Sequence, residues 1–282
     1  MLETISEHGC FGGVQGFYSH RSVCNGLRMR FSVYQPPEAK RGPVPVLFFL
    51  AGLTATDETF MIKAGAQRLA AEYGLMLVSP DTSPRNTGIE GATQDWDFGE
   101  GASFYVDATE APWRAHFQME TWVVEELREI IGAVFPARPD RIGIFGHSMG
   151  GHGALTLALR HPQIYKSVSA FAPICAPMQC EWGENALSKY LGADKAHWQA
   201  HDATELVRLG PVRFPKGILI DQGLSDKFFA QQQLRPELFE SACKDAGQPL
   251  TMRLHENYDH GYYFIATFIA DHLAAHHAAL NG

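Results

Sequence analysis

A serine between two glycines, an aspartate after a later apolar run and a histidine in a turn near the carboxyl end are the residues most able to do chemistry together. Ser148 lies in Gly146-His147-Ser148-Met149-Gly150, Asp226 in Asp221-Gln222-Gly223-Leu224-Ser225-Asp226, and His260 in Asn257-Tyr258-Asp259-His260-Gly261. A serine hydroxyl attacks an acyl carbon only when a base removes its proton and an acid orients that base. On a sheet whose strands run into helices the three follow in the order Ser, Asp or Glu, His. The expected chemistry is acyl transfer through Ser148, with His260 as base and Asp226 as acid.

Neighbouring candidates are weaker. Asp221 sits at the end of its apolar run, where it can tie the following loop, whereas the Gly223 turn can swing Asp226 toward the histidine. Asp259 adjoins His260, and adjacent side chains diverge. His255 falls inside a strand pattern. His272, His276 and His277 lie on a carboxyl-terminal helix and are expected to be solvated. Without a third ligand or a Glu at useful spacing they do not form a metal site. His147 and His152 flank the serine too closely to serve as its base and are read as wall or packing residues. The developing oxyanion needs two donors. The Met149 N–H follows the nucleophile, and the Leu53 N–H lies in the turn Leu50-Ala51-Gly52-Leu53.

The elements that must position these groups follow from the apolar pattern. Residues 44–50 and 75–79 read as buried strands joined by a crossover helix over 59–73 that Gly74 ends. A long helix is expected over 116–134. Strands follow at 142–145, 165–171, 217–221 and 250–255, with helices at 232–246 and 262–279. Residues 11–20 and 27–34 predict an antiparallel hairpin. The alternation implies an α/β fold with a mostly parallel sheet and helices on both faces. Two connections, about 81–114 and 173–214, are too long for ordinary links and are expected to be active-site loops. From the aromatics on them, Trp96, Phe98, Tyr105 and Trp182 are candidate walls for the substrate, and Arg85 or Lys63 candidate partners for a carboxylate.

The 282 residues, 45% hydrophobic and 19% charged, suffice for a single domain over 1–282. A net charge of −8 with no Lys/Arg run argues against nucleic acid and anionic membranes. The amino terminus has neither a basic start nor an apolar stretch, so no signal peptide or span is expected, and the location read from it is cytoplasmic. Five scattered cysteines fit reduced thiols.

Five segments together carry a resemblance: Leu50 to Phe60, Trp96 to Ala108, Gly146 to Leu155, Asp221-Gln222-Gly223 with Asp226, and Tyr258 to Ile265. They resemble the S-formylglutathione hydrolases, also called esterase D, across nearly the whole chain. The first two are far more specific than Gly-x-Ser-x-Gly. The resemblance implies an α/β-hydrolase fold and a cofactor-free, cytosolic, often dimeric thioesterase. Such an enzyme releases formate and glutathione in formaldehyde detoxification, with side activity on short esters. It supports Ser148, Asp226 and His260 as triad and Leu53 and Met149 as oxyanion donors. Many relatives read Gly-Leu-Thr-Cys-Thr where this chain has Ala55, so their sensitivity to thiol reagents does not carry over. The alternatives are a general short-chain carboxylesterase and, in another class, a non-catalytic binding protein of hydrolase fold, against which the intact Ser, Asp, His set weighs.

Overall fold

The computed structural model describes residues 2–281. Its nine strands are β1 (Leu2–Cys10), β2 (Gly13–Arg21), β3 (Arg28–Gln35), β4 (Val44–Leu50), β5 (Met76–Pro80), β6 (Ala137–His147), β7 (Tyr165–Phe171), β8 (Ile218–Gly223) and β9 (Leu250–His255). They form one sheet in the order β1-β2-β3-β5-β4-β6-β7-β8-β9. The first four in that order pair antiparallel, and from β5 through β9 every pairing is parallel. The central strands β4 and β5 are apolar along nearly their whole length because both faces are covered.

Alternation along β7 shows how the covering is divided. Ser167, Ser169 and Phe171 meet the carboxyl-terminal helix. The residues between them turn to the other face, and that face carries the helix that follows β6. Phe49, Phe60 and Phe145 form the aromatic centre beneath the strand ends, with Phe49 stacked on Phe60 at 3.8 Å between centroids.

The crossover from β4 to β5 is two helices, α1 (Thr59–Lys63) and α2 (Gln67–Tyr73), where one was expected. Gly65 at φ +67° breaks the run, and Gly74 ends α2 in the left-handed region as the sequence predicts. The helix expected from residue 116 begins at α3 (Met119–Thr121), widens through a π-helical stretch, Trp122–Leu127, and continues as α4 (Arg128–Val134). Asn25 accounts for the late start. Its carbonyl pairs with His116 Nδ1 and its side chain accepts the Gln118 N–H, holding that segment outside the helix.

After β6 comes α5 (Met149–Arg160). The segment expected to be a long loop at 173–214 is largely helical: α6 (Glu181–Leu191), α7 (Lys195–Trp198) and α8 (Ala203–Leu209). Asp194 and Asp202 cap the last two through backbone N–H groups. The other segment, 81–114, is irregular over most of its length. Then follow α9 (Lys227–Ala230), α10 (Pro236–Ala246) and α11 (Tyr262–Asn281). Pro236 at the first turn of α10 starts that helix four residues later than the pattern predicts. The hairpin of β2 and β3 is present, and β1 adds an edge strand whose polar sequence carries no apolar alternation. All five cysteines are free. No helix among the described residues is long and apolar enough to cross a membrane.

Candidate active site

β6 passes into α5 with a single residue between them. That residue, Ser148, has φ 57° and ψ −122°, a region avoided by side chains with a Cβ. Its backbone is fixed on both sides: its N–H donates to the Phe171 carbonyl at 3.0 Å, and its carbonyl accepts the His152 N–H at 2.9 Å. The flanking glycines are required sterically. A Cβ on Gly146 would strike the Gly150 carbonyl, and one on Gly150 would strike the Leu50 carbonyl at the end of β4.

The turn after β4 lies directly against the serine. A Cβ on Gly52 would stand 3.1 Å from the Ser148 Cβ. Leu53 N–H and Met149 N–H have no backbone acceptor among the described residues, whereas the Thr54 N–H donates to Gly101 O at 2.9 Å. Met149 is also the first residue of α5, where unpaired N–H groups and the helix dipole favour negative charge.

The irregular loop holds this turn from behind. Tyr105 donates its hydroxyl to Ala51 O at 2.9 Å, Thr82 donates to Ala55 O at 2.7 Å, and Arg85 Nη2 donates to Ala55 O at 2.9 Å. Of the residues expected to touch substrate, Tyr105 and Arg85 are therefore engaged with the protein itself, Arg85 also pairing with Asp81. Phe98 is buried between Trp113 and Tyr190, a second departure from the expected wall. The loop closes on its own aromatics, and that takes these rings out of solvent. Lys63 lies over the Tyr262 ring at 5.8 Å.

Asp226 and His260 come together from two strand ends. β8 leads through a turn to Asp226, whose Oδ1 accepts the Phe228 N–H at 2.8 Å as the cap of α9. β9 leads to His260, and His260 Nδ1 meets Asp226 Oδ2 at 2.5 Å. Burial alone would raise the Asp226 pKa. The His260 hydrogen bond and charge, the Phe228 N–H and the Gln222 amide outweigh it and hold the carboxylate below its ordinary range. The imidazole lies against His147, centroids 4.4 Å apart, beside the residue preceding Ser148, and edge-on to Phe228 at 4.8 Å. His147 and His152 are buried, and burial pushes both below the ordinary imidazole value, His152 to about 3. Sequence reasoning missed Gln222 and Phe228. Phe228 had a usable signal, its position two residues past a capping Asp; Gln222, a strand residue, had none.

Asp221 has different partners. Arg253 grips it with two nitrogens, at 2.6 and 2.5 Å, and His272 Nε2 lies 3.2 Å from Oδ2. Burial would raise its pKa, but His272 and Arg253 bring it far below the ordinary carboxylate value. His272 and His276 are thus buried rather than solvated, correcting the expectation for α11. His272 Nδ1 meets Ser169 Oγ at 2.7 Å, and His276 bridges Ser167 and Ser169 at 2.6 and 2.8 Å. Only His277 is partly exposed, stacked on Tyr73. A polar residue on a helix face reads as solvated unless the serines that receive it from a distant strand are known.

Trp96 and Trp182 stand beside this centre. Trp182 meets Phe228 at 4.7 Å, and Trp96 meets Trp182 at 5.2 Å and is 53% exposed. With Phe228 they line a cavity of about 590 Å³. A larger groove of about 810 Å³ opens between the amino ends of β6, β7 and β8 and α11, at the end of the strands opposite the serine. Ligands of parallel sheets bind at the carboxyl ends, which sets the groove at the amino ends apart from the serine.

A family model described as putative esterase matches residues 22–275. The S-formylglutathione hydrolase of Mus musculus is 52% identical over 280 residues, covering 99% of both chains. That of Paracoccus denitrificans is 50% identical, covering 97% of this chain and 96% of its own. A solved structure of an S-formylglutathione hydrolase from Agrobacterium tumefaciens superposes with a TM-score of 0.96 at 51% identity, covering 99% of both chains.

Proposed function

Since the chain belongs to the S-formylglutathione hydrolase family and has the α/β-hydrolase fold, we propose that it hydrolyses S-formylglutathione to formate and glutathione as a serine thioesterase. The observation that carries the mechanism is the strained Ser148 backbone at the end of β6, with the Asp226–His260 pair brought over from β8 and β9.

His260 takes the Ser148 proton as Oγ attacks the formyl carbon, and Asp226 keeps the imidazole oriented and stabilises its cation. The oxyanion forms against Leu53 N–H and Met149 N–H, donors that need no reorganisation because the loop behind them is already fixed. The C–S bond then breaks and His260 returns the proton to the departing sulfur. Water, activated by His260, attacks the formyl-serine, and a second oxyanion at the same donors collapses to formate and free Ser148. The substrate walls in this reading are Trp96, Trp182 and Phe228. The same reading sets the reaction in formaldehyde detoxification, in the cytoplasm, with the enzyme a homodimer, and it includes side activity on short carboxylic esters.

The test compares kcat/KM for S-formylglutathione, S-acetylglutathione, the formyl thioester of 2-mercaptoethanol and a p-nitrophenyl ester series. Formyl and acetyl groups should be preferred over butyryl, each excess methylene costing about 1–3 kcal/mol in a tight acyl pocket. S-formylglutathione should exceed the small-thiol ester, since remote contacts help to position the carbonyl. Equal values for the two formyl thioesters, or a preference for long chains, would instead identify a general carboxylesterase.

A further inference from the structure

The cavity beside His260 carries charge as well as aromatic surface. Its lining includes Trp96, Trp182 and Phe228 together with Glu181, Lys227 and Gln233. Glu181 opens α6 and Lys227 opens α9, so the two charges come from different elements and face one space. Neither forms an ion pair within 4 Å among the described residues, so both charges are free to meet a ligand. The Lys227 ammonium lies 4.7 Å from the Phe228 ring centroid, and that same ring packs edge-on against His260. Gln233 Oε1 accepts the Trp182 N–H at 3.1 Å, leaving its amide NH₂ as the donor it offers to the cavity.

We propose that this cavity is the site of the leaving group and that Lys227 and Glu181 together recognise the α-amino-acid end of its γ-glutamyl residue. Lys227 takes the α-carboxylate and Glu181 the α-ammonium. The inference rests on the thioesterase reading and specifies where its specificity lies. A zwitterion calls for one cation and one anion on opposite sides of a single carbon, and the cavity lining includes one of each, both on exposed residues. The peptide between the sulfur and that carbon spans about two extended residues, roughly 7 Å, and Phe228, which packs on His260 and lines the cavity, joins the catalytic pair to it. The volume, about 590 Å³, suits a small-molecule ligand. Trp182 and Phe228 cover the apolar part of the peptide, and the Gln233 amide can donate to one of its carbonyls.

Two variants and one altered substrate test this. Glu181→Gln and Lys227→Met are assayed with S-formylglutathione, with the formyl thioester of desamino-glutathione, which lacks only the ammonium, and with p-nitrophenyl acetate. Lys227 adjoins Asp226, so the readout is the ratio of kcat/KM for S-formylglutathione to that for p-nitrophenyl acetate on the same protein, which cancels damage to the acid. Lys227→Met should lower this ratio about fivefold, chiefly through KM, the upper end of what an accessible ion pair contributes. Removing the ammonium from the substrate should cost the unaltered enzyme a similar factor, and Glu181→Gln should show no further loss with the desamino substrate. If both variants keep the unaltered ratio while the enzyme still prefers S-formylglutathione to the 2-mercaptoethanol ester, the thioesterase reading stands and this recognition is wrong. If no such preference exists at the outset, the reading fails and the inference falls with it.

Discussion

Asp221 and Asp226, five residues apart, have different partners because of where β8 ends. Asp221 is still within the strand and is enclosed by Arg253 and His272. Asp226 lies beyond the Gly223 turn and meets His260. Asp226→Asn is therefore expected to lower kcat by about 10³-fold or more, because imidazole orientation is lost while the side chain can still cap α9. Asp221→Asn leaves turnover per folded molecule largely intact. It removes about 3 kcal/mol of stability by stranding its buried partners, discounted here because Arg253 keeps Asp271 and some solvent. Steady-state kinetics and urea denaturation of the two variants separate these outcomes. Greater loss of kcat in a folded Asp221→Asn protein would reverse the roles. The turn that brings Asp226 to His260 was legible in the sequence, since a glycine turn is a local signal. The enclosure of Asp221 was not, because Arg253 and His272 reach it from β9 and α11.

At the scale of elements, the irregular segment between β5 and α3 acts as a brace for the turn after β4. Tyr105 contributes a buried hydroxyl bond to Ala51, one residue before the glycine that lies against Ser148. Tyr105→Phe leaves the Ala51 carbonyl without that donor, worth about 1–2 kcal/mol. Turnover should fall about tenfold with KM little changed, if the Leu53 N–H loses its alignment in the transition state. Unchanged kcat would mean that Thr82 and Arg85 brace the turn alone. The central strands could be read in advance from continuous apolar runs, and Tyr165–Phe171 and Leu250–His255 have the expected ends, whereas the strand expected at 142–145 extends over Ala137–His147, its start hidden in the sequence by charged residues. Short helices were harder. α7 and α8, four and seven residues long, are capped by Asp194 and Asp202 and have too few turns to show a period, whereas α6 runs eleven residues without a side-chain cap and buries Trp182 and Tyr190. β1 escaped for the opposite reason, since an edge strand can be polar throughout. Of four aromatics of equal promise in the sequence, Phe98 and Tyr105 pack inside the closed loop, Trp182 is buried at the edge of the cavity it lines, and Trp96 is exposed there.

For the molecule as a whole, the sheet is tied to α11 by the hydrogen-bonded series from Asp221 through His272, Ser169 and His276 to Ser167. Burial pushes His276 down to about 3. Between that value and about 6.5, where an unfolded histidine titrates, only the unfolded chain binds the proton, so this contribution to stability is full above about 6.5 and declines as pH falls. Asp57 and Asp202, pushed up to about 6 by burial, oppose the trend, so the comparison must be with a variant. His276→Gln should reduce the pH dependence of unfolding free energy by about 1.4 kcal/mol per unit between pH 6 and 4.5. Parallel curves for the two proteins would show that His276 does not titrate as its burial requires. The central claim, that this chain cleaves a glutathione thioester through Ser148, is tested most directly by the rate of S-formylglutathione loss catalysed by the unaltered protein and by Ser148→Ala at matched fold and concentration. The account predicts rapid turnover by the first and a loss of about 10³-fold or more in the second; comparable rates would contradict it.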